Sequence, residues 1–268
     1  MNTDTHQLAV AVETHEASVL AACFDAAAAE PGNLLGAIVD RSVMPPLALA
    51  QAIDSDEINR VVGLGVSSPA GRDAVAAVVA FFESHGQPRF RIDLSPVACP
   101  PQLPERLKSL GLRPLDHTIT KKVRSTGDAL SSPIDVEVRL LGREDRDAVA
   151  ELNLMAWGAW EVSDPLRTWF GSIVGTRSFR HFGAFDGDRL VSVQALSIRD
   201  VLGWTGFAAT HPRYRGHRLN RSISQVSHAH ARDRGCRIVH TEMDTRFEPS
   251  SEEFWETLYE RTLYSPVP

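Results

Sequence analysis

A group of basic residues around a glycine lies between a strand-like and a helix-like segment of the chain. Residues 205–210 are mostly apolar, whereas residues 219–235 place apolar side chains at helical spacing. Arg213, Arg215 and Arg218 flank Gly216 between the two segments. A turn that opens into a helix leaves backbone N–H groups unpaired, and the helix dipole adds partial positive charge there. Because Gly216 has no Cβ, a phosphate can approach the backbone closely, and the stretch indicates a binding site for a polyanion.

The same residues resemble the signature of a known family. Arg213-Tyr214-Arg215-Gly216-His217-Arg218 resembles the coenzyme A signature of GNAT acyltransferases, Arg/Gln-x-x-Gly-x-Gly/Ala. Pro212 before it and Leu219 and Ile223 after it also occupy positions that the family pattern expects. One position departs from the pattern, because Arg218 stands where the family has Gly or Ala. Its bulky side chain either crowds the pyrophosphate or turns outward and adds a charge contact.

The resemblance implies a cosubstrate and the residues that bind it. In GNAT proteins the backbone amides of this turn hold the pyrophosphate of acyl-CoA, so we expect acetyl-CoA or another acyl-CoA here. The residues that we assign to cofactor binding are Ala208, Ala209, Thr210, Arg213, Arg215, Gly216, His217, Arg218, Leu219 and Asn220.

The helix after the turn is predicted to pack through one apolar stripe. Leu219, Ile223, Val226 and His230 recur at helical spacing, which places His228 on the opposite face. Residues 237–244 then form a further predicted strand. The predicted unit is therefore strand, anion-binding turn, helix and strand.

The composition and the N-terminus favour a cytoplasmic enzyme or binding protein. The 268 residues are 43% hydrophobic and 23% charged, which is ordinary for a soluble globular protein. A net charge of −6 argues against a general nucleic-acid binder. No apolar run reaches membrane-spanning length, and the N-terminus lacks the pattern of a signal peptide. The three scattered cysteines, and histidines without acidic or Cys partners at ligand spacing, predict no disulfide framework and no metal site.

The order of elements repeats between the two halves of the chain. The second half has a predicted strand, basic turn, helix and strand. The first half has the same order, with a strand at residues 59–66, a turn, a helix at 70–85 and a strand at 90–94. The first half lacks the clustered arginines at its turn. This repetition suggests a duplication.

The first half also resembles the degenerate N-terminal lobe of tandem GNAT proteins over residues 59–65, 81–96 and 104–124. Residues 125–133 between the halves have the composition of a linker. We therefore predict an α/β fold of two tandem GNAT-like lobes, residues 1–125 and 135–268, joined by residues 126–134. Each lobe is expected to have a mixed, mainly antiparallel sheet flanked by helices.

Three tryptophans follow the first predicted strand of the second half. Trp157 and Trp160 fit packing in the core or at a domain interface, and Trp169 lies in the helix predicted to follow. By resemblance alone they are also candidates for the acyl-acceptor pocket, because these segments line that pocket in GNAT proteins.

A carboxylate in the strand at residues 237–244 is the candidate general base. Acyl transfer from a thioester to an amine needs a neutral nucleophile and a proton donor for the departing thiolate. GNAT enzymes often use a carboxylate as the base, and the resemblance assigns this role to Glu242. By strand alternation Glu242 shares a face with His240 and Asp244. The alternative is a solvated charge at the end of a strand.

The candidate general acid comes from a second, looser resemblance. Residues 252–261 resemble the family helix Asn-x-x-Ala-x-x-Leu-Tyr-Glu-x-x-Gly-Phe through Leu258, Tyr259 and Glu260, whereas Glu252 and Trp255 replace the Asn and the Ala. In the family the tyrosine of this helix often protonates the leaving thiolate. Packing of Tyr259 beside Trp255 in the core is the alternative.

The sequence favours an acyl-CoA-dependent N-acyltransferase, with acetyl transfer to an amine of a small molecule or peptide. The alternative is a GNAT-fold protein that binds acyl-CoA or a partner with little catalysis, because of Arg218 and the altered C-terminal helix. Acyl transfer to a hydroxyl is a third possibility. The sequence leaves open the acceptor and the choice between monomer and homodimer.

Overall fold

The structure is a computed structural model that describes residues 3–128, 136–158, 164–246 and 255–266. Its helices and strands, in chain order, are α1 (Thr3–Ala28), β1 (Ala37–Asp40), β2 (Leu47–Ala50), β3 (Arg60–Val62), α2 (Arg72–Ser84), β4 (Arg91–Leu94), α3 (Leu103–Ser109), β5 (Arg113–Ser125), β6 (Glu137–Leu141), α4 (Arg146–Trp157), α5 (Asp164–Ser172), β7 (Arg180–Asp186), β8 (Arg189–Arg199), β9 (Leu202–Thr210), α6 (Leu219–Asp233), β10 (Ile238–Asp244) and β11 (Glu256–Ser265). Among the described residues, none of the helices combines the length and the apolar composition needed to cross a bilayer.

The chain forms two compact units. The first unit comprises Met1–Lys122 and Glu242–Pro268, and the second comprises Val123–Thr241. The boundary after Lys122 lies close to the predicted linker, of which residues 129–134 lie outside the described residues. The described residues from Glu242 onward belong to the first unit, where β11 pairs with β4 and Tyr264 joins the core. The lobe boundaries given above therefore stay a prediction.

The first unit is built on a sheet in the order β3-β4-β11-β5. β3 and β4 are parallel, whereas β11 runs antiparallel to β4 and lies between β4 and β5. β1 and β2 form a separate antiparallel pair. One face of α2 is apolar and packs into the core, where the rings of Phe82 and Phe90 stack with their centroids 4.3 Å apart. The sheet thus has parallel and antiparallel neighbours, as predicted for a mixed sheet.

The second unit has a sheet in the order β10-β9-β8-β7-β6. The strands from β6 to β9 are antiparallel neighbours, and β10 runs parallel to β9. The turn between β7 and β8 has Gly187 at φ +57°, a left-handed conformation that glycine adopts without strain. A core of Leu141, Val149, Val193 and neighbouring apolar side chains lies between the sheet and α4. The mixed, mainly antiparallel sheet of this unit agrees with the prediction.

The predicted apolar stripe of α6 is wrong at two positions. Val226 is 40% exposed, whereas His228 is only 5% exposed. The buried face of α6 is partly polar, because the hydroxyl of Ser227 donates to Gln194 Oε1 of β8 at 3.1 Å. A search for apolar residues alone therefore did not identify the face of α6 that is buried.

The helix predicted over residues 252–261 is wrong where the structure describes it. Residues from Glu256 onward form the strand β11, in which Tyr259, Arg261 and Leu263 alternate inward. Pairing with β4, where Leu263 lies opposite Asp93, fixes this strand. The alternation has the period of two that a half-buried strand requires. Glu252 lies outside the described residues.

Candidate functional site

The turn between β9 and α6 bends sharply at two residues with positive φ. A single short 3₁₀ turn, Pro212–Tyr214, follows β9. Gly216 then has φ +82° and Arg218 has φ +57°, and α6 begins immediately afterwards. A left-handed conformation costs a non-glycine residue on the order of 1 kcal/mol. Arg218 therefore adopts a conformation that suits the Gly of the family pattern better than it suits arginine.

Backbone donors collect where α6 begins. The N–H groups of Gly216, Arg218, Leu219 and Asn220 have no hydrogen-bond acceptor within the described residues, whereas the next two N–H groups of the helix both bond to the Arg218 carbonyl. No atom lies within 4 Å of the position that a Cβ on Gly216 would take. Unpaired donors at the positive end of a 15-residue helix, beside open space, form an anion-binding arrangement.

The basic side chains of the turn divide into two groups. Arg215 donates to the carbonyl of Ala156 at 2.7 Å, and His217 Nδ1 lies 3.2 Å from the carbonyl of Tyr214. Those two side chains stabilise the protein's own backbone. Arg213 and Arg218 are exposed, and within the described ranges neither has a carboxylate partner. Arg213 and Arg218 are therefore the arginines of this group whose guanidinium groups remain available to a ligand, while Arg215 keeps its positive charge beside them.

The end of the hairpin between β7 and β8 holds the turn in place. The hydroxyl of Tyr214 donates to Asp186 Oδ2 at 2.5 Å, and the backbone N–H of Arg213 donates to His211 Nδ1 at 3.2 Å. Arg189 Nη2 lies 2.8 Å from His211 Nε2. Burial and the positive charges of Arg189 and Arg213 lower the pKa of His211, which keeps the imidazole neutral and able to accept the backbone hydrogen bond.

The strands β9 and β10 are paired only at their beginning. The register runs over three pairs and ends at Trp204 and His240. Further along β9, Phe207 has φ +48° and forms with Ala208 a bulge opposite Gln194 of β8. Ala208 is exposed, whereas Ala209 and Thr210 are paired with β8. The three predicted cofactor residues of β9 thus lie beyond the point where its ladder with β10 ends.

Glu242 and Tyr259 lie in one buried group of charged side chains in the first unit. This ionic cluster has four carboxylates and four cations, Glu13, Glu16, Asp93, Glu242, Arg60, Arg91, Lys121 and Arg261. Glu242 accepts hydrogen bonds from Arg60 Nη2 at 2.6 Å and Nη1 at 3.1 Å, and it lies 3.4 Å from Arg261 Nη1. The formal charges balance, as burial of so many ions requires.

The members of the ionic cluster differ in their affinity for protons. Burial raises the pKa of Glu242, Arg60 opposes this effect, and the negative charge of Glu16 reinforces it, so that the pKa of Glu242 lies above its usual value. Burial also acts on Glu16, but attraction by Arg261 and Lys121 outweighs it and brings the pKa of Glu16 well below the usual value. A side chain of Glu242 that is 24% exposed can exchange a proton with a ligand or solvent. Glu242 is therefore a partly buried carboxyl group with a raised affinity for a proton.

The side chain of Tyr259 is 6% exposed, and its hydroxyl donates to Glu13 Oε1 at 2.6 Å. Arg261 Nε binds the same oxygen at 2.8 Å. Burial, opposed by Arg261 and reinforced by Glu13, raises the pKa of Tyr259 well above its usual range. The core-packing alternative given above thus agrees with the position of Tyr259, and a catalytic role for its hydroxyl stays a prediction.

The three tryptophans and the possible metal ligands are the remaining residues considered in the sequence analysis. Trp169 is buried in α5, whereas Trp160 and the side chain of Trp157 lie outside the described residues. In the part of the chain that the structure describes, no three His, Cys, Asp or Glu side chains are grouped so that they could hold a metal ion.

Sequence reasoning missed most of the ionic cluster, although a signal was present. Glu13 and Glu16 are three residues apart on α1 and belong to its buried face, and Arg261 occupies an inward position of β11. Charged residues at core-facing positions of a helix and of a strand are unusual unless they are paired. Searching for oppositely charged residues at such positions could have found these partners.

The solved structures to which the chain is similar include GNAT acetyltransferases. A GCN5-related N-acetyltransferase from Kribbella flavida matches with a TM-score of 0.60 and 15% identity, over 82% of this chain and 85% of its own. A tandem GNAT protein from the clavulanic acid biosynthesis pathway matches with a TM-score of 0.57 and 17% identity, over 83% of this chain and 78% of its own. A GCN5-related N-acetyltransferase from Sphaerobacter thermophilus matches with a TM-score of 0.53 and 14% identity, over 72% and 68%.

The predicted fold of two tandem GNAT-like lobes is confirmed by these similarities. At such low identity they show the fold alone. No family model matches the sequence, and no curated protein is similar to it.

Proposed function

We propose that this protein is an acyl-CoA-dependent N-acyltransferase that transfers an acetyl group from acetyl-CoA to an amine of a small molecule or peptide. The observation that carries this proposal is the set of unpaired backbone N–H groups at Gly216 and where α6 begins, in a chain with the GNAT fold. These donors match the pyrophosphate of coenzyme A in charge and in hydrogen bonding.

The cofactor contacts follow from the turn. The N–H groups of Gly216, Arg218, Leu219 and Asn220 would bind the pyrophosphate, with Arg213 and Arg218 adding screened attraction. Arg215 and His217 would act indirectly, because their side chains bind the backbone of the protein. The backbone of β9 at residues 208–210, beyond its pairing with β10, would lie along the pantetheine arm.

The reaction requires one proton acceptor and one proton donor. Glu242 would take a proton from the acceptor amine as the nitrogen attacks the thioester carbonyl carbon. Collapse of the tetrahedral intermediate breaks the C–S bond, and the thiolate takes a proton from Tyr259 or from water. Glu242 suits the first step because its pKa is raised by burial and by Glu16. Tyr259 suits the second only if its hydroxyl can leave Glu13.

Calorimetry followed by a turnover assay tests the proposal. Acetyl-CoA should bind, and acetyl-pantetheine, which lacks the pyrophosphate, should bind at least about 100-fold more weakly, a difference of ~2.7 kcal/mol. Thiol release across a panel of amines should then detect turnover with at least one of them. Equal affinities for the two ligands would place the site elsewhere. Binding without turnover on any amine would favour the binding-protein alternative.

A further inference from the structure

Arg60 fixes the orientation of the Glu242 carboxylate. Its two terminal nitrogens donate to the two oxygens of Glu242, at 2.6 Å and 3.1 Å, and Nη1 also donates to Asp93 Oδ2 at 2.9 Å. A guanidinium that binds both oxygens of a carboxylate restricts rotation of that group. Arg60 is itself buried and belongs to β3, in the first half of the chain.

Glu16 lies beside Glu242 in the ionic cluster. Its Oε2 accepts from Lys121 and from Arg261 Nη2, the latter at 2.7 Å. Its Oε1 lies 3.9 Å from the Arg60 nitrogen that binds Glu242, and within the described residues it has no hydrogen-bond donor. The carboxyl groups of Glu16 and Glu242 share two cations, because Arg60 Nη2 lies near both of them and Arg261 lies 2.7 Å from Glu16 and 3.4 Å from Glu242. A proton on Glu242 would supply the donor that Glu16 Oε1 lacks.

Two buried carboxyl groups in contact bind one proton more readily than either would bind it alone. Glu242 is the partner through which that proton would enter, because 24% of its side chain is exposed against 2% for Glu16. The other charged groups that face the pair are Arg60 from β3, Lys121 from β5 and Arg261 from β11. Their positive charges stabilise both carboxylates in the ionised state before a proton is taken up.

We propose that Glu16 and Arg60 are positioning residues for Glu242, with Arg60 orienting its carboxylate and Glu16 forming with it a carboxyl pair that holds the proton taken from the acceptor amine. The inference rests on the proposed function, because it assumes that Glu242 is the base. In the step itself, the amine N–H bond breaks, its proton passes to the carboxyl pair, and the amine nitrogen bonds to the thioester carbon.

Glu16→Gln is the central variant, and Glu13→Gln is its matched control. Both glutamates are buried on α1, but Glu16 shares both Arg60 and Arg261 with Glu242, whereas Glu13 binds Tyr259 and Arg261. Removing the negative charge of Glu16 should move the acid limb of the kcat/KM profile to lower pH and lower kcat by about tenfold or more, with unchanged affinity for acetyl-CoA. Glu13→Gln should leave the acid limb where it is, because its contacts are to Tyr259 and Arg261.

Arg60→Lys tests the orienting role through a double-mutant cycle. A lysine keeps the charge but loses the two-pronged contact, so kcat should fall on the order of tenfold while KM for acetyl-CoA stays constant. In a Glu242→Gln background the same substitution should have no further effect on kcat. Equal losses in both backgrounds would mean that Arg60 acts on folding alone.

Carbon-13 NMR titration of the Glu242 carboxyl group gives a readout that needs no turnover. The titration midpoint should move to lower pH in Glu16→Gln and stay constant in Glu13→Gln. An active wild type whose acid limb and titration midpoint are both unaffected by Glu16→Gln overturns this inference and leaves the proposed function intact. A wild type that acylates no amine overturns the proposed function and the positioning role with it, even where the titration detects the carboxyl pair.

Discussion

Arg218 is the residue at which this chain departs most clearly from the family signature. It has a left-handed backbone, an exposed side chain and a position directly before α6. Of the two alternatives in the sequence analysis, the outward orientation agrees with the exposure of the side chain. Arg218 therefore adds a positive charge to the turn, at the cost of a strained backbone conformation.

Arg218→Gly should raise stability and lower affinity for acetyl-CoA. Glycine relieves a strain of about 1 kcal/mol, whereas loss of an exposed cation should weaken binding about two- to fivefold at low salt. The loss should shrink as salt is added, because the attraction is screened. Urea denaturation and calorimetry at two ionic strengths measure the two effects. A rise in affinity would instead mean that the arginine crowds the pyrophosphate.

Tyr259→Phe separates two roles of the same hydroxyl. Loss of the buried hydrogen bond to Glu13 should cost about 1–3 kcal/mol of unfolding free energy. A fall in kcat of roughly 100-fold or more is expected only if the hydroxyl also protonates the thiolate. Tyr264→Phe is the matched control, since Tyr264 is buried on the same strand and no partner of its hydroxyl is found among the described residues. Unchanged stability in Tyr259→Phe would contradict the hydrogen-bonding role.

At the scale of elements, the turn and α6 were predictable because their signals are local. A glycine among arginines, followed by helical spacing, predicts a turn and a helix whatever the rest of the chain does. The strand β11 was not predictable in this way, because the same residues carry two conflicting signals. The family resemblance predicts a helix, whereas the alternation of Tyr259, Arg261 and Leu263 predicts a strand. Pairing with β4 decides between them, and β4 lies more than 150 residues earlier in the sequence.

Charged residues at inward positions could have been recognised as candidates, but their pairing in the ionic cluster was not predictable, for the same reason. Its carboxylates and cations come from α1, β3, β4, β5, β10 and β11, so that no local pattern joins them. Glu242 was identified through the family resemblance. The places of Arg60 and Glu16 in the same cluster could not be identified, because they depend on how the strands and α1 assemble.

Gly216→Val should weaken acetyl-CoA binding much more than the equivalent change at the other end of α6. Gly216 and Gly235 both have positive φ, +82° and +87°, and nothing lies within 4 Å of a Cβ on either. The backbone strain of the two valine variants should therefore be similar, but only residue 216 lies beside the unpaired N–H groups. We expect a loss of affinity of at least about tenfold for Gly216→Val, or ~1.4 kcal/mol, measured by calorimetry. Equal affinities in both variants would show that the anion binds elsewhere.

At the scale of the whole molecule, stability should depend on pH in two separate windows. Burial lowers the pKa of His181 to about 4, and burial together with Arg124 does the same for His228. An unfolded imidazole takes up a proton near pH 6.5, whereas these folded ones stay neutral until about pH 4. The unfolded state binds more protons in that interval, so stability is lost as the pH falls through it. Glu16 and Asp93, whose pKa values are lowered on balance, add a second loss below the usual carboxyl range.

Urea denaturation between pH 7 and pH 4 tests the first window. The unfolding free energy should fall by at most about 3 kcal/mol for each of the two histidines. His181→Leu should reduce this fall, because leucine takes up no proton in the unfolded chain. An unfolding free energy that is constant over the range would contradict the burial of neutral imidazoles.

The position of β11 has a consequence for the order in which the protein is made. β11 lies between β4 and β5. Each of these two strands therefore lacks its neighbour on that side until β11 has been synthesised and inserted. While the ribosome is still adding residues 242–265, each of the two strands has an open edge that can pair with another chain. A growing chain therefore holds its first unit incomplete while the residues of the second unit are already synthesised. Translation that stalls after Thr241 would release a product prone to aggregate, although most of the first unit's sequence is present.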